Sequence, residues 1–329
     1  MQVERKALYN SLRLNWLKDS TIKVEYWQVD DYRNISLDEL FDLLHNLEVK
    51  VDHEAFISYA ENFDSPEELA QCFIGDDTDI IRGDQIYLLV FELWRRLLPH
   101  KQSLSIFCDE LDYQIHFYDR GEGDIEAIQD ILLYLEEILH ENADEGEDSF
   151  EVFQWITACC AHDVAAFLYD FISSQIEEGN YNYSTELLEG FYDFVGEDVW
   201  FDFLRARLAS FFDVEEFNDI IADLIEDSVE ELDLELYFEI FHALSKQGRK
   251  QLFLDVAKRI QSLIETEEDF CDLLEICLEY SNRCGDEDLV TSVQDILFKR
   301  KSAEEKVEWN VDSDRLFSLL DRSFYLENR

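Results

Sequence analysis

Apolar residues recur at steps of three and four along most of this 329-residue chain, a spacing that is typical of amphipathic helices. The clearest case is segment 124–142, whose acidic residues fall outside the apolar stripe. The stripe consists of Ile125, Ile128, Ile131, Leu132, Leu135, Ile138 and Leu139. The same pattern predicts further helices at 149–161, 162–178, 184–195, 197–212, 214–226, 229–246, 249–264, 267–281, 285–301 and 312–326.

The first 120 residues carry the helical pattern with one interruption. They predict helices at 3–18, 36–47, 53–62, 66–74, 84–98 and 103–119. Between the first two, Ile22, Val24 and Tyr26 alternate with polar residues, which predicts a short strand. Val49 and Val51 are placed to pair with it, so we expect a small β hairpin near the N-terminus.

Several predicted helices begin with a capping residue followed by acids. Asp213, Ser228 and Thr266 each precede acidic residues, and Ser65 precedes Pro66 at the first helical position. The caps accept hydrogen bonds from free amides, and the acids favour the positive end of the helix dipole. Part of the acidity therefore reflects helix capping and needs no partner.

The order of the elements predicts an all-α fold. Short links between consecutive helices favour antiparallel hairpins, whose starts recur about every 30–38 residues. We therefore expect hairpins stacked as an irregular helical-repeat (α-solenoid-like) array, with a globular all-α domain without repeats as the alternative. Two glycines and a change of composition at 119–124 predict a boundary between an N-terminal mostly helical domain, 1–120, and a helical-repeat domain, 121–329.

The net charge of −50 is unevenly distributed. Residues 1–120 carry −12, residues 121–245 carry −32, and residues 246–329 carry −6. After Arg120, 84 residues with 22 carboxylates pass before the next basic side chain, Arg205. Adaptation to high salt would produce an even spread, so the strongly acidic part 121–245 points instead to a basic partner or to solvation.

Composition also argues against several classes of protein. Such an acidic surface repels nucleic-acid phosphate and anionic lipid, and no apolar run approaches the ~18 residues of a membrane span. The N-terminus has no apolar signal core. Seven cysteines without a CxxC pair indicate buried, reduced thiols, and we expect a cytoplasmic protein.

No motif predicts catalysis, a metal site or a cofactor. The pairs Glu137–His140 and Glu239–His242 have the spacing of di-iron helical bundles, but on a helical wheel both point away from the apolar stripe. Segments 47–56 and 75–79 resemble calcium loops without the required ligands, and 47–56 leaves a metal-free helix–loop–helix as an option. Cys159, Cys160 and His162 suggest a dyad, yet sequence neighbours on a helix do not face each other.

The segment 191–203 interleaves rings with acids. We expect its larger apolar side chains, with the adjoining Leu204, to pack in the core, namely Phe191, Phe194, Trp200, Phe201 and Leu204. Not every ring fits one stripe, so others are free to line a groove for a partner. Arg205 lies three residues after Asp202, which predicts a local ion pair.

The charge and the rings together favour a non-enzymatic interaction module, an adaptor or chaperone-like protein that binds a basic protein or peptide. The expected acidic contacts are Asp144, Glu145, Glu147, Asp148, Glu177, Glu178, Glu197 and Asp198, and the expected aromatic contacts are Tyr181, Tyr183 and Tyr192. Two alternatives stay open: a nucleic-acid-mimicking or antitoxin-like inhibitor of a basic enzyme, and an enzyme with an unrecognised site.

Overall fold

A computed structural model describes residues 4–75, 78–144, 146–196, 198–227, 232–302, 312–313 and 315–320. Its helices are α1 (Glu4–Lys18), α2 (Tyr26–Val29), the 3-10 turn η1 (Tyr32–Asn34), α3 (Leu37–Asn46), α4 (His53–Ala60), α5 (Pro66–Phe73), α6 (Ile80–Leu97), α7 (Leu104–Asp119), α8 (Ile125–Asp144), α9 (Ser149–Thr157), α10 (Val164–Glu177), α11 (Tyr181–Val195), α12 (Val199–Ala209), α13 (Val214–Asp227), α14 (Leu234–Gln247), α15 (Lys250–Leu263), α16 (Glu267–Cys284) and α17 (Glu287–Ser302).

The all-α prediction is confirmed, and the β hairpin prediction is wrong, because the described residues contain no strand. Where the strand was expected, Tyr26 opens the single helical turn α2, and a capping box between Glu25 and Gln28 satisfies the free amides of that turn. Val49 donates its amide to the carbonyl of Leu44 and is buried with the end of α3. These backbone groups therefore form local hydrogen bonds and not the hydrogen bonds of a β ladder.

Three helical hairpins follow one another in the second half of the chain. Helix α12 packs against α13, α14 against α15, and α16 against α17. Helix α14 also contacts α12 and α16, and α13 contacts α15. The helices α12, α14 and α16 start at 199, 234 and 267, spacings of 35 and 33 residues. This two-layer packing is the helical-repeat array that the sequence predicts.

The chain divides into two compact units. The first unit comprises Met1–Leu168 with Asp193–Val195, and the second comprises Tyr169–Tyr192 with Gly196–Arg329. Each has its own buried apolar core, centred in the first unit on α6 and in the second on α14 to α16. The predicted domain boundary at 119–124 stays a prediction.

The predicted helix starts are confirmed at three positions. Ser65 caps α5 with Pro66 at the first helical position, and Asp213 accepts the amides of Glu215 and Glu216. Thr266 forms a complete capping box at the start of α16. The fourth predicted cap, Ser228, lies outside the described residues.

Within the described part of the chain, no helix is both long enough and apolar enough to cross a membrane.

Candidate functional site

Of the eight acids expected to bind a partner, the structure describes the side chains of five, and four of these have local roles. Asp148 and Asp198 are helix caps: each accepts two backbone amides, at the starts of α9 and α12. Glu177 pairs with Arg207 at 3.3 Å, and Glu178 accepts a hydrogen bond from the Asn180 side chain. Glu147 is exposed. The predicted Glu145 and Glu197, and the side chain of Asp144, lie outside the described residues.

The three predicted tyrosines are all half-buried, with different neighbours. Tyr192 donates to Asp202 at 2.6 Å, and Arg205 pairs with Asp202 at 3.7 Å, which confirms the predicted ion pair. Burial raises the pKa of Tyr183 to about 12. Only Tyr181 joins an exposed aromatic group. The predicted core residues Phe191, Phe194, Phe201 and Leu204 are buried, while Trp200 is half-buried.

Tyr181 belongs to an aromatic cluster on the second unit. Its ring stacks on Phe211 with centroids 4.3 Å apart and meets Phe212 edge-on at 6.1 Å. Phe211 and Phe212 are 50% and 70% exposed. Tyr181 and Phe211 also line a cavity of about 440 Å³, which we call the aromatic cavity and which is lined from α10, α11, α12 and α14. It brings together the predicted Glu177 and Tyr181 with side chains of both charges, including Arg207 and Lys246.

A larger cavity of about 640 Å³ lies between α14 and α16, and we call it the acidic groove. Its apolar part consists of half-buried Leu234, Phe238 and Ile276. The remaining lining residues are Glu235, Glu239, His242, Asp269, Asp272, Glu275 and Glu279. Six of these seven are carboxylates, and no lysine or arginine joins them in the described lining. The groove therefore combines an apolar floor with a strongly negative rim.

The electrostatics of the acidic groove show mutual repulsion. Burial, and after it the negative charges of Glu275, Glu268 and Asp269, raise the pKa of Asp272. At the other end of the groove His242 lies 3.4 Å from Glu279. Carboxylates at neutral pH accept hydrogen bonds and donate none, so nearly the whole polar lining consists of acceptors. A group that brings positive charge and donors would relieve the repulsion.

The two cavities adjoin each other. Glu239 and His242 of α14 line both the aromatic cavity and the acidic groove. The cavities therefore form one continuous surface lined from α10, α11, α12, α14 and α16. We call this surface the acidic face.

The two Glu–His pairs have no metal-binding geometry. His140 is exposed, approaches Glu136 at 3.7 Å, and its ring meets Phe194 edge-on. His242 is engaged with Glu279 of the neighbouring helix. In the described residues, no three His, Cys, Asp or Glu side chains are arranged to hold a metal ion.

A polar cavity of about 60 Å³ lies inside the first unit, among α1, η1 and α7. A buried carboxylate, Asp109, accepts hydrogen bonds from Arg33 at 2.6 Å and Asn10 at 3.0 Å, and Lys6 lies 3.2 Å away. Burial alone would raise the pKa of Asp109, but Lys6 and Arg33 outweigh it and hold that pKa below its usual range. The cavity has room for only a few water molecules, so it suits a structural network better than a substrate.

The cysteine–histidine neighbours do not form a dyad. The Nδ1 atom of His162 lies 3.0 Å from Asp112, whose carboxylate also accepts the amides of Ala161 and His162. Cys159 is buried and donates its thiol to the carbonyl of Trp155, and its pKa is lowered by a hydrogen bond with Cys108 and not by a histidine.

Comparison of the chain with protein-family models, with curated proteins and with solved structures finds no match.

The acidic groove was not predicted from the sequence, because residues 246–329 together carry a net charge of only −6. The start of α16 places Glu267, Glu268, Asp269, Asp272, Glu275 and Glu279 ahead of its first base, Arg283. The bases elsewhere in 246–329 concealed this run. Its steps of three and four beside Ile276 were the signal that the run shares a helix face with an apolar residue.

Proposed function

We propose that this protein is a non-enzymatic interaction module, adaptor or chaperone-like and cytoplasmic, that binds a basic protein or peptide through its acidic face. The acidic groove carries the proposal, because six carboxylates surround an apolar floor without a lysine or arginine in the described lining. Lysine and arginine side chains carry positive charge and only donors, which complements this lining. Long-range attraction by the acidic chain would also speed the encounter with a basic partner.

The aromatic cluster supports the same proposal. Phe211 and Phe212 are exposed next to Tyr181, and large exposed rings are enriched where proteins bind each other. Arg207 in the aromatic cavity is already paired with Glu177. The rings would bind apolar parts of a partner whose basic side chains lie at the acidic groove.

The first alternative is a nucleic-acid-mimicking or antitoxin-like inhibitor of a basic enzyme. Helix α13 favours it, because one side exposes the carboxylates of Glu215, Glu216, Asp219, Asp223 and Glu226. Arg249 pairs with two of them, Glu215 and Asp219, which weakens the resemblance to a phosphate backbone. The second alternative, an enzyme, would need a substrate-sized polar site, and the buried polar cavity of the first unit is too small for one.

A binding experiment with matched charge variants tests the proposal. The probe is a fluorescent 20-residue peptide of alternating lysine and serine, titrated with the full chain at 20 and 200 mM NaCl. We expect binding at low salt that weakens at high salt. The triple variant Glu235→Gln, Asp272→Asn, Glu275→Gln should bind about tenfold more weakly.

The control removes the same number of carboxylates from α13, as Glu216→Gln, Asp223→Asn, Glu226→Gln. It should weaken binding much less, because only the overall field changes. Equal losses in the two triple variants would contradict a role for the acidic face. A larger loss of binding in the α13 variant would favour the nucleic-acid mimic instead. The mimic would also require that duplex DNA displaces the protein from a basic enzyme that it binds.

A further inference from the structure

The apolar residues on the floor of the acidic groove are spaced to bind a helix. Leu234 and Phe238 lie four residues apart and so share one face of α14, and Ile276 of α16 lies in the same cavity. From Leu234 to His242 the groove follows nine residues of α14, a rise of about 12 Å, which is about two turns of a ligand helix. Helices that dock in grooves use apolar anchors at just such intervals.

The polar lining discriminates between forms of a ligand. An extended peptide presents its backbone carbonyls, which need donors, and the only donor side chain in the described lining is His242, already beside Glu279. The backbones of α14 and α16 are occupied by their own helical bonds and offer no strand edge. A helical ligand satisfies its own carbonyls internally and shows only side chains to the groove.

The carboxylates of the groove determine which polar side chains the ligand should carry. Glu235 and Glu239 lie along α14, and Asp272, Glu275 and Glu279 lie along α16, so the carboxylates flank the apolar floor from both helices. A ligand with a narrow apolar stripe and basic residues on either side would place each group opposite its complement. An acidic or neutral amphipathic helix would bury its apolar stripe but leave the carboxylates facing each other.

We propose that the acidic groove binds a basic amphipathic helix of a partner protein, with apolar anchors on Leu234, Phe238 and Ile276 and lysines or arginines against the carboxylates of α14 and α16. This inference rests on the proposed function and adds the form of the partner. It requires about two turns of helix with apolar residues three or four positions apart.

Two peptides of identical composition test it. The first is an 18-residue peptide of leucine and lysine with the leucines at steps of three and four, and the second has the same residues in an order without a helical stripe. Titrated with the full chain, the striped peptide should bind at least about tenfold more tightly, because only it fills the floor while pairing the rim. Circular dichroism of the bound striped peptide should show a gain of helix.

Variants of the floor assign the binding to this groove. Phe238→Ser and, separately, Ile276→Ser should abolish the advantage of the striped peptide. Phe298→Ser removes a more exposed ring of the same unit, on α17, that lies outside both cavities, and it should leave the advantage intact. Thermal unfolding of each variant shows that it is folded before it is compared.

The outcomes separate the two proposals. Equal affinity for both peptides, with a loss of affinity in the carboxylate triple variant, overturns the helical ligand and leaves the basic partner in place. If the striped peptide still binds more tightly in both Phe238→Ser and Ile276→Ser, the assignment of its binding to this groove is overturned. If neither peptide binds at 20 mM NaCl, the proposed function itself fails.

Discussion

Single basic side chains have a large role in this chain because they are scarce, 27 against 77 acids. Arg33 contacts both Asp109 and Glu110, and Arg96 donates to the backbone carbonyls of Tyr32, Arg33 and Ile35. Each guanidinium thus satisfies several acceptors at once, which its planar fork of donors permits. At this scale the cations of the first unit hold loops and buried carboxylates in place.

The buried carboxylate of Asp112 is expected to be a major stabilising residue of the first unit. It accepts two amides in the loop between α9 and α10, a ring nitrogen of His162, and the side chain of Asn10. Asp112→Ala would leave these donors without their acceptor, so we expect a loss of about 3 kcal/mol in unfolding free energy. Asp163→Ala, which removes the local cap of α10, should cost only about 1 kcal/mol in the same urea titration.

Asp109 should make the stability of the first unit sensitive to acid. Its pKa is lowered in the folded state because Lys6 and Arg33 outweigh the effect of burial. Ionised Asp109 therefore contributes stability above its unfolded pKa of ~3.9, and that contribution disappears as pH falls through the folded pKa.

Urea unfolding of Asp109→Asn checks this sign. At pH 7 the variant should be about 3 kcal/mol less stable than the parent, since it leaves two cations with one partner fewer. The difference should shrink below pH ~4. Asp42→Asn, which removes an exposed carboxylate, should show little difference at either pH. A difference for Asp109 that is constant with pH would contradict the charge interaction.

At the scale of elements, side chains of one helix bind backbone amides that lie next to the ends of other helices. Asp112 of α7 takes the amides of Ala161 and His162, and α9 ends at Thr157 and α10 begins at Val164. Sequence periodicity instead predicted helices that met at 161–162. Asn218 has a comparable role in the second unit, where it joins the α12–α13 hairpin to the start of α15.

Asn218 is expected to fix the register between those two hairpins. It is 1% exposed, accepts the amide of Arg249 at 2.6 Å, and donates to the carbonyl of Val214 at 2.6 Å. Asn218→Ala leaves the Arg249 amide without this acceptor, so we expect about 2 kcal/mol of destabilisation by urea titration. Asn218→Asp keeps the acceptor and should lose less, and exposed Asn282→Ala should change little. Identical losses for Ala and Asp would rule out the capping role.

At the scale of the whole molecule, net charge opposes folding. The net charge of −50 means that acidic side chains repel one another in the compact state. Salt weakens this repulsion, with a screening length of about 10 Å at 0.1 M. The pKa of Asp272 is raised first by partial burial and then by neighbouring carboxylates, and the second cause is the same repulsion at a local scale.

Thermal stability should therefore rise with ionic strength at pH 7. We expect Tm to increase as NaCl goes from 10 to 200 mM, and to increase further for MgCl2 at equal ionic strength, because a divalent cation screens clustered carboxylates more strongly. The α13 triple neutral variant should have a smaller salt response than the parent. A Tm that falls with salt would mean that attractive ion pairs outweigh the repulsion.

The candidate surface could be predicted only in part from sequence. The acidic character, the ring Tyr181 and the neighbouring Glu177 were anticipated, and the cavity that contains them was not. Asp148 and Asp198 were expected at a partner surface but have capping roles, because a free amide two or three residues ahead is the nearest donor. The acidic groove combines α14 with α16, whose acids in the groove lie 30 or more positions apart in the chain, a distance at which periodicity carries no information.

Sequence by itself determined the helices, the caps at Ser65, Asp213 and Thr266, and the stacking of hairpins in the second unit. These follow from interactions within a few residues and from the need of each apolar stripe to be covered. Tertiary structure alone decided that Asp112 binds the loop between α9 and α10, that Asn218 binds the start of α15, which acids pair with an arginine far away in the chain, and that Leu234, Phe238 and Ile276 share one groove. The reason is physical: burial and charge pairing depend on neighbours in space, and only packing brings those neighbours together.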